Sequence, residues 1–296
     1  MRDQIVIHQE VIKKRSSIKF VNDFKRFMKT QKIGFTALLL ILLFIVMTIL
    51  APLITPFDPT SQNRDVFLNA PNLTHLMGTD DMGRDFFSRI IYGARISLTV
   101  GLATVVFSLI LGVMLGVISG YFGGFLDMCI QRIMDAVLSI PSIILALFVA
   151  ALLGPAIQNV IIALVIIETP RFARVVRGET LKIKEYDFIA ASRSVGSSAI
   201  RIIWKHSIPN ITAPIIVLAS LTFGQAIIAE ASLSFLGIGT PPPNPSWGLM
   251  LSDGNRYMET APWLVIFPGL ALSLLVLAFN LLGDALRDFL DPKVSS

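Results

Sequence analysis

Six long stretches of this chain contain no Asp, Glu, Lys or Arg: 33–57, 96–126, 136–167, 206–229, 231–252 and 260–283. A helix that crosses a bilayer needs roughly 20 largely apolar residues, and these runs are of that order. A water-soluble domain of 296 residues carries about 25% charged residues, whereas this chain has 15%, with 54% hydrophobic. The solvent of most of the chain is therefore lipid. The single Cys129 excludes an intrachain disulfide and reads as a buried, inert thiol.

Trimming the runs at Pro and Gly predicts spans over Ile33–Ile54, Ile96–Ile118, Ile133–Leu153, Ala156–Val175, Ile211–Phe235 and Trp263–Leu282. The third and fourth come from one 32-residue run, where two complete spans need about 40 residues, so charge decides between one crossing and two. Met1–Lys32 holds nine Lys and Arg and Arg171–Lys205 holds eight. The positive-inside rule wants both segments in the cytoplasm, which requires an even number of crossings between them. A pair of helices joined at Gly154-Pro155 meets that need, with Arg132 and Asp135 at one interface and Arg171 and Arg174 snorkelling at the other.

The expectation is an all-α membrane protein with six spans and both termini inside. Its parts are a basic tail over 1–32, a transmembrane domain over 33–285 and a tail over 286–296. Extracytoplasmic segments fall at 55–95 and 238–262, and a cytoplasmic loop at 176–210. On this topology 20 of the 25 basic residues lie inward, so the basic balance reports orientation and anionic lipid, with no call for nucleic acid. The tail reads as a topology-setting segment compatible with a surface helix, and the first span as a retained anchor.

Within the spans, Gly112, Gly116 and Gly120 recur at four-residue spacing, a stripe that lets another helix approach closely. Pro141, Pro170, Pro214 and Pro268 invite kinks. Glu230 is read as the one carboxylate well inside a span, either partnered or facing the interior of the assembly near an outer gate. Gly78, Asp80, Asp81, Gly83, Arg84 and Asp85 make a turn-rich cluster with too few oxygens at defined positions for calcium, so ion pairs with Arg84 and Arg89 are expected.

No phosphate-binding loop, metalloprotease motif or nucleophile elbow occurs, and His8, His75 and His206 fall inside, outside and inside respectively and cannot share one site, so neither a metal site nor catalysis is expected. Any energy must come from a partner. The 176–210 segment is where one would dock: Asp187 can cap a short helix through Val195, Gly196 can end it, and Ser197 or Ser198 can start another that stops before Pro209. Ile, Val and Trp alternating with charges argue for docking rather than solvation.

This stretch resembles the cytoplasmic coupling loop of ABC-importer permeases: Glu-Ala-Ala, three residues, Gly, nine residues, Ile-x-Leu-Pro. Registered on Gly196, the triplet falls on Ala190, Ala191 and Ser192 and the close on His206, Ile208 and Pro209. Ala190 stands in place of the Glu, Ser192 of the second Ala, and His206 of the Ile. Phe57-Asp-Pro, the run from His75 to Leu98, Ala231–Gly237 and Gly283–Pro292 extend the likeness. Together they resemble the C-type permease subunit of dipeptide, oligopeptide and nickel importers over residues 20–293. The resemblance implies a type I importer permease in a prokaryotic cell membrane. It implies pairing with a B-type permease, two ATPases that hold the ATP and Mg, and an extracytoplasmic binding protein, and the cluster at Gly78, Asp80, Asp81, Arg84 and Asp85 is then expected to pack under its dock. Cargo is then a peptide, nickel or a metal chelate. From outside the family, a stand-alone channel or secondary transporter is the competing expectation.

Overall fold

The computed structural model describes residues 25–290; most of the basic tail, with His8, and the last six residues lie outside that range. Among the described residues, nine helices of eight residues or more carry the fold: α1 (Lys32–Ile49), α2 (Phe86–Phe122), α3 (Gly124–Leu138), α4 (Ser142–Leu153), α5 (Ile157–Lys184), α6 (Asp187–Ser194), α7 (Thr212–Phe235), α8 (Trp247–Asn255) and α9 (Trp263–Leu290). Among the described residues the β pairing is confined to one bridge between Thr79 and Asp85.

Helices α1, α2, α7 and α9 are long and apolar enough to cross a membrane, and α3 with α4 make up to a fifth span broken in the middle. The expected third span, Ile133–Leu153, is thus not one helix. The chain turns by 91° between Leu138 and Ser142. Pro141 has no N–H to continue the α3 ladder and itself sits at the start of α4. Alone, α4 is about 18 Å long at 1.5 Å per residue, short of a ~30 Å hydrocarbon core. The expected fourth span lies within α5, long enough but interrupted by Glu168, Arg171 and Arg174, so it does not count among the apolar helices. Pro170 and Pro268 are held inside continuous helices.

The bundle is built on close helix contacts. Gly112, Gly116 and Gly120 all face α5. A Cβ on Gly116 would sit 2.6 Å from the carbonyl oxygen of Ala173, one on Gly120 2.9 Å from that of Arg177, and one on Gly112 would overlap Phe172. Only hydrogen leaves room for the two backbones to touch. On the other side, α9 packs against both α7 and α1, with Phe223 and Phe279 stacked at 3.9 Å between ring centroids. Gly34 of α1 abuts Ala285 of α9. Just before α1, a short helix over 25–30 sets Phe27 edge-on to Phe289 at 5.4 Å, with Arg26 over the same ring. The start of the first long helix and the end of the last therefore lie together.

Large apolar side chains on the outside, among them Leu43, Phe107, Phe148 and Leu277, are about half exposed. Water would make such a surface a liability; acyl chains make it the natural outer face.

Candidate functional site

The segment joining α5 to α7 forms a compact knob. Helix α6 begins at Asp187, which sits in its first turn while Tyr186 takes the cap position, so the expected Asp187 cap is displaced by one residue. Gly196 follows the helix at φ +82°, where a side chain would be strained, and the space around it is open. Ser198, rather than Ser197, caps the next turn by accepting a hydrogen bond from the Arg201 N–H. A widened helical turn over Ile203–Ser207 then runs into Ile208-Pro209-Asn210, where the Asn210 amide donates to the His206 carbonyl at 2.7 Å.

Two faces result. Ile189 and Ile202 are fully buried with Ile183, Val176, Ile211, Ile215 and Val117, which roots the knob on α2, α5 and α7. On the opposite face Val195 is 86% exposed, Ile200 71% and Trp204 67%. Ala190, Ala191, Gly196 and Pro209 are exposed beside them, whereas Ser192, His206 and Ile208 are half-buried. Arg193 lies over the ring of Tyr121 at 5.4 Å, a second tie to α2. The sequence resemblance thus falls on a rigidly seated element with an unpartnered apolar crest.

The 55–95 segment is a network of buried charge. Asp80 accepts hydrogen bonds at Oδ1 from the backbone N–H groups of Met82 and Arg84 (both 2.9 Å) and at Oδ2 from Arg84 Nε (2.6 Å), and Arg89 Nε lies 3.4 Å from the same Oδ2. Asp81 is 4.0 Å from Arg84. Asp85 caps α2 by accepting from the Ser88 N–H and hydroxyl, and it meets His75 Nδ1 at 2.8 Å. Gly78 stands at φ +77° against Trp263, whose indole donates to the Thr79 carbonyl. Asp253 of α8 faces this cluster, and burial together with the nearby Asp81 raises its carboxyl above the usual range despite Arg84, Arg89 and Arg256. Every acid among 80, 81 and 85 is engaged with the protein's own groups. Among the described residues, no group of three or more His, Cys, Asp or Glu is arranged to hold a metal ion.

Glu230 does not line an open path in this structure. It is 1% exposed, sandwiched between α2 and α7, and accepts hydrogen bonds from the Ser234 hydroxyl (2.7 Å) and the Ser97 hydroxyl (3.3 Å). Nor is it the one carboxylate at depth. Glu168, within the expected fourth span, pairs with Arg171 at 3.4 Å, and Arg171 also donates to the Gln225 side chain. Arg171 thereby turns across to α7 instead of snorkelling, while Arg174 reaches Asp135 at 2.5 Å and Arg177 reaches Asp127 at 2.6 Å, stapling α3 onto α5. Charge-free runs cannot reveal such residues, because a run ends at the first charge whatever its depth. Helical spacing of Glu168, Arg171 and Arg174 inside a required crossing was the available signal.

Residues 112–296 match the family of binding-protein-dependent transport system inner membrane components. The chain belongs to that family. Residues 20–71 also match the N-terminal transmembrane domain of oligopeptide transport permease C. The dipeptide transport system permease protein DppC of Alkalihalophilus pseudofirmus is 47% identical over 269 residues, 91% of this chain and 88% of the relative. The glutathione transport system permease protein GsiD of Shigella flexneri is 47% identical over 274 residues, 92% of this chain and 90% of the relative. Among solved structures, the inward-facing MetNI methionine ABC transporter superposes with a TM-score of 0.57 at 21% identity, covering 69% of this chain and 98% of the matched one. That is a likeness of fold. This is a multi-pass inner-membrane permease subunit of an ABC importer, working with further permease, ATPase and binding-protein components.

Proposed function

We propose that the chain forms half of a translocation pathway for di- and oligopeptides, completed by a homologous B-type permease, and that two cytoplasmic ATPases drive it through the 187–209 knob. The observation that carries this reading is the knob's division into a buried root and an exposed apolar crest. A lever must be stiff where it joins the bundle and adhesive where it meets the motor. Small residues at Ala190, Ala191, Ser192 and Gly196 keep it slim enough to enter a groove, while Ile208 and Pro209 return the chain to α7 beside His206. Peptide cargo is inferred from the dipeptide and glutathione relatives.

On this reading the permease has six crossings with both termini cytoplasmic. The packing of Phe27 against Phe289 supports an even number, and α5 supplies the sixth beside the four apolar helices and the bent pair. The parts of the chain are then a basic tail (1–32), the permease domain (33–285) and a short cytoplasmic tail (286–296). ATP and Mg belong to the partner ATPases, and this chain carries no catalysis of its own. The 78–85 network, braced by its own ion pairs, is the foundation beneath the docking place of the extracytoplasmic binding protein. Glu230 holds α2 to α7 near the outer gate.

The test is reconstitution of the permease pair with its ATPases and binding protein in proteoliposomes. Peptide-loaded binding protein should stimulate ATP hydrolysis and peptide uptake together. Uptake that proceeds without the ATPases would instead establish a stand-alone channel or secondary transporter.

A further inference from the structure

Where α4, α5 and α7 meet, a partly open groove offers a volume of about 450 Å³. Ile143, Ile167 and Ile228 make its walls apolar, and Glu168, Arg171 and Gln225 place a carboxylate, a guanidinium and an amide among them. On the six-crossing reading above, Glu168 lies about 17 Å along α5 and Gln225 about 20 Å along α7, so the polar set falls inside the crossing and not in either loop. The Arg171 side chain is 45% exposed there, whereas Glu168 retains 14%. A guanidinium open at that depth is unfavourable against lipid, so this face of the bundle borders water or a polar occupant.

The Glu168–Arg171 pair also has the form of an exchangeable site. Its closest approach is 3.4 Å, longer than a tight charged hydrogen bond. A zwitterion entering the groove can replace each partner with its own opposite charge, leaving no charge unpaired at any stage of the exchange. Carboxylate binding suits the planar fork of Arg171, and the compact ammonium suits Glu168. The Gln225 oxygen accepts from Arg171, which leaves its amide N–H groups to donate to a peptide carbonyl, and the isoleucine walls accept varied side chains without selecting among them.

We propose that this groove holds a short peptide by its two free termini in transit, Arg171 taking the carboxylate and Glu168 the ammonium. The inference rests on the peptide reading above and adds which residues touch the cargo and which part of the cargo they touch. The two side chains start one helical turn, about 5 Å, apart on α5, so a dipeptide, whose termini are about 7 Å apart when extended, can engage both at once, while longer peptides engage one terminus at a time.

The assembled importer in lipid nanodiscs tests it, with Cys129→Ala removing this chain's one native thiol, Ile228→Cys placing a new one on the groove wall, and labelling read on this chain's band alone. A water-soluble maleimide should label Cys at 228, millimolar dialanine should slow labelling about tenfold, and dialanine blocked at both ends should not. In the Glu168→Gln/Arg171→Gln variant, dialanine should lose its protection, and uptake per ATP hydrolysed should fall about tenfold. An unreactive thiol at 228 would mean that the second permease fills the groove, and the proposal falls. Equal protection by the blocked peptide, or protection that survives the double substitution, also overturns it. Failure of the peptide reading would look different: wild-type assemblies would show no peptide-stimulated ATP hydrolysis at all.

Discussion

Glu230 is buried with both carboxylate oxygens engaged by serine hydroxyls, so its loss should be read as loss of helix contact. Glu230→Ala removes two hydrogen bonds and leaves a cavity between α2 and α7, an expected cost of about 2 to 4 kcal/mol; Glu230→Gln keeps the volume and should cost less. Thermal unfolding of the purified permease complex, followed by size exclusion, ranks the two. Asp253 makes the opposite prediction. Its folded-state carboxyl is raised above the ordinary value of 3.8, mainly by burial and then by Asp81, so ionisation works against folding. Its contribution to stability is full below the unfolded value and is lost as pH rises through the folded one. Asp253→Asn should therefore leave the protein at least as stable as wild type at neutral pH, with the gain shrinking on acidification towards 4. Melting curves at the two pH values decide; a variant less stable at neutral pH contradicts the assignment. Single residues were unevenly legible. The acids at 80 and 81 were readable as ion-pair partners because they lie close in sequence to Arg84 and Arg89, whereas Asp85 caps α2 and meets His75 instead. The Glu168–Arg171 pair had only its three-residue spacing as a signal, and the link from Arg171 to Gln225 had none, because it depends on two helices meeting 54 residues apart in the chain.

Among the elements, the α2–α5 seam leaves the least freedom. A methyl on Gly116 already meets the Ala173 carbonyl at 2.6 Å and Val176 at 2.8 Å, so Gly116→Ala must push the helices apart, at an expected cost of about 1 to 3 kcal/mol, and Gly116→Val should exceed it. Expression of folded protein and its melting temperature provide the measure. The knob presents the reverse geometry: Gly196 has open space around it and a backbone suited to glycine. Gly196→Arg should accordingly spare membrane insertion and yet abolish peptide-stimulated ATP hydrolysis; retained uptake would refute the lever. Small-residue spacing announced both features in the sequence. The right-angle break before Pro141 was not announced in the same way, because proline inside a span is compatible with a bend of any size, as the uninterrupted helices around Pro170 and Pro268 illustrate. What separates them is the partner: α3 is turned aside and stapled by Asp127 and Asp135 to arginines of α5.

At the scale of the whole molecule, orientation is open to direct measurement. Leu73 is 99% exposed on the 55–95 segment and Val195 86% exposed on the knob. In a Cys129→Ala background, a membrane-impermeant maleimide added to intact spheroplasts should modify Leu73→Cys, and Val195→Cys only after permeabilisation. The opposite pattern would invert the topology. The packing of α1 against α9 has a further meaning for how such a chain is made. Helix α9 leaves the ribosome long after α1, and it is α9 that covers Gly34 of α1 and seats Phe289 on Phe27. Until then α1 waits in the bilayer with that face uncovered. A chain that stalls before α9 therefore carries a standing mark of incompleteness in its first span, available to any membrane protease or chaperone that reads unpaired helix faces.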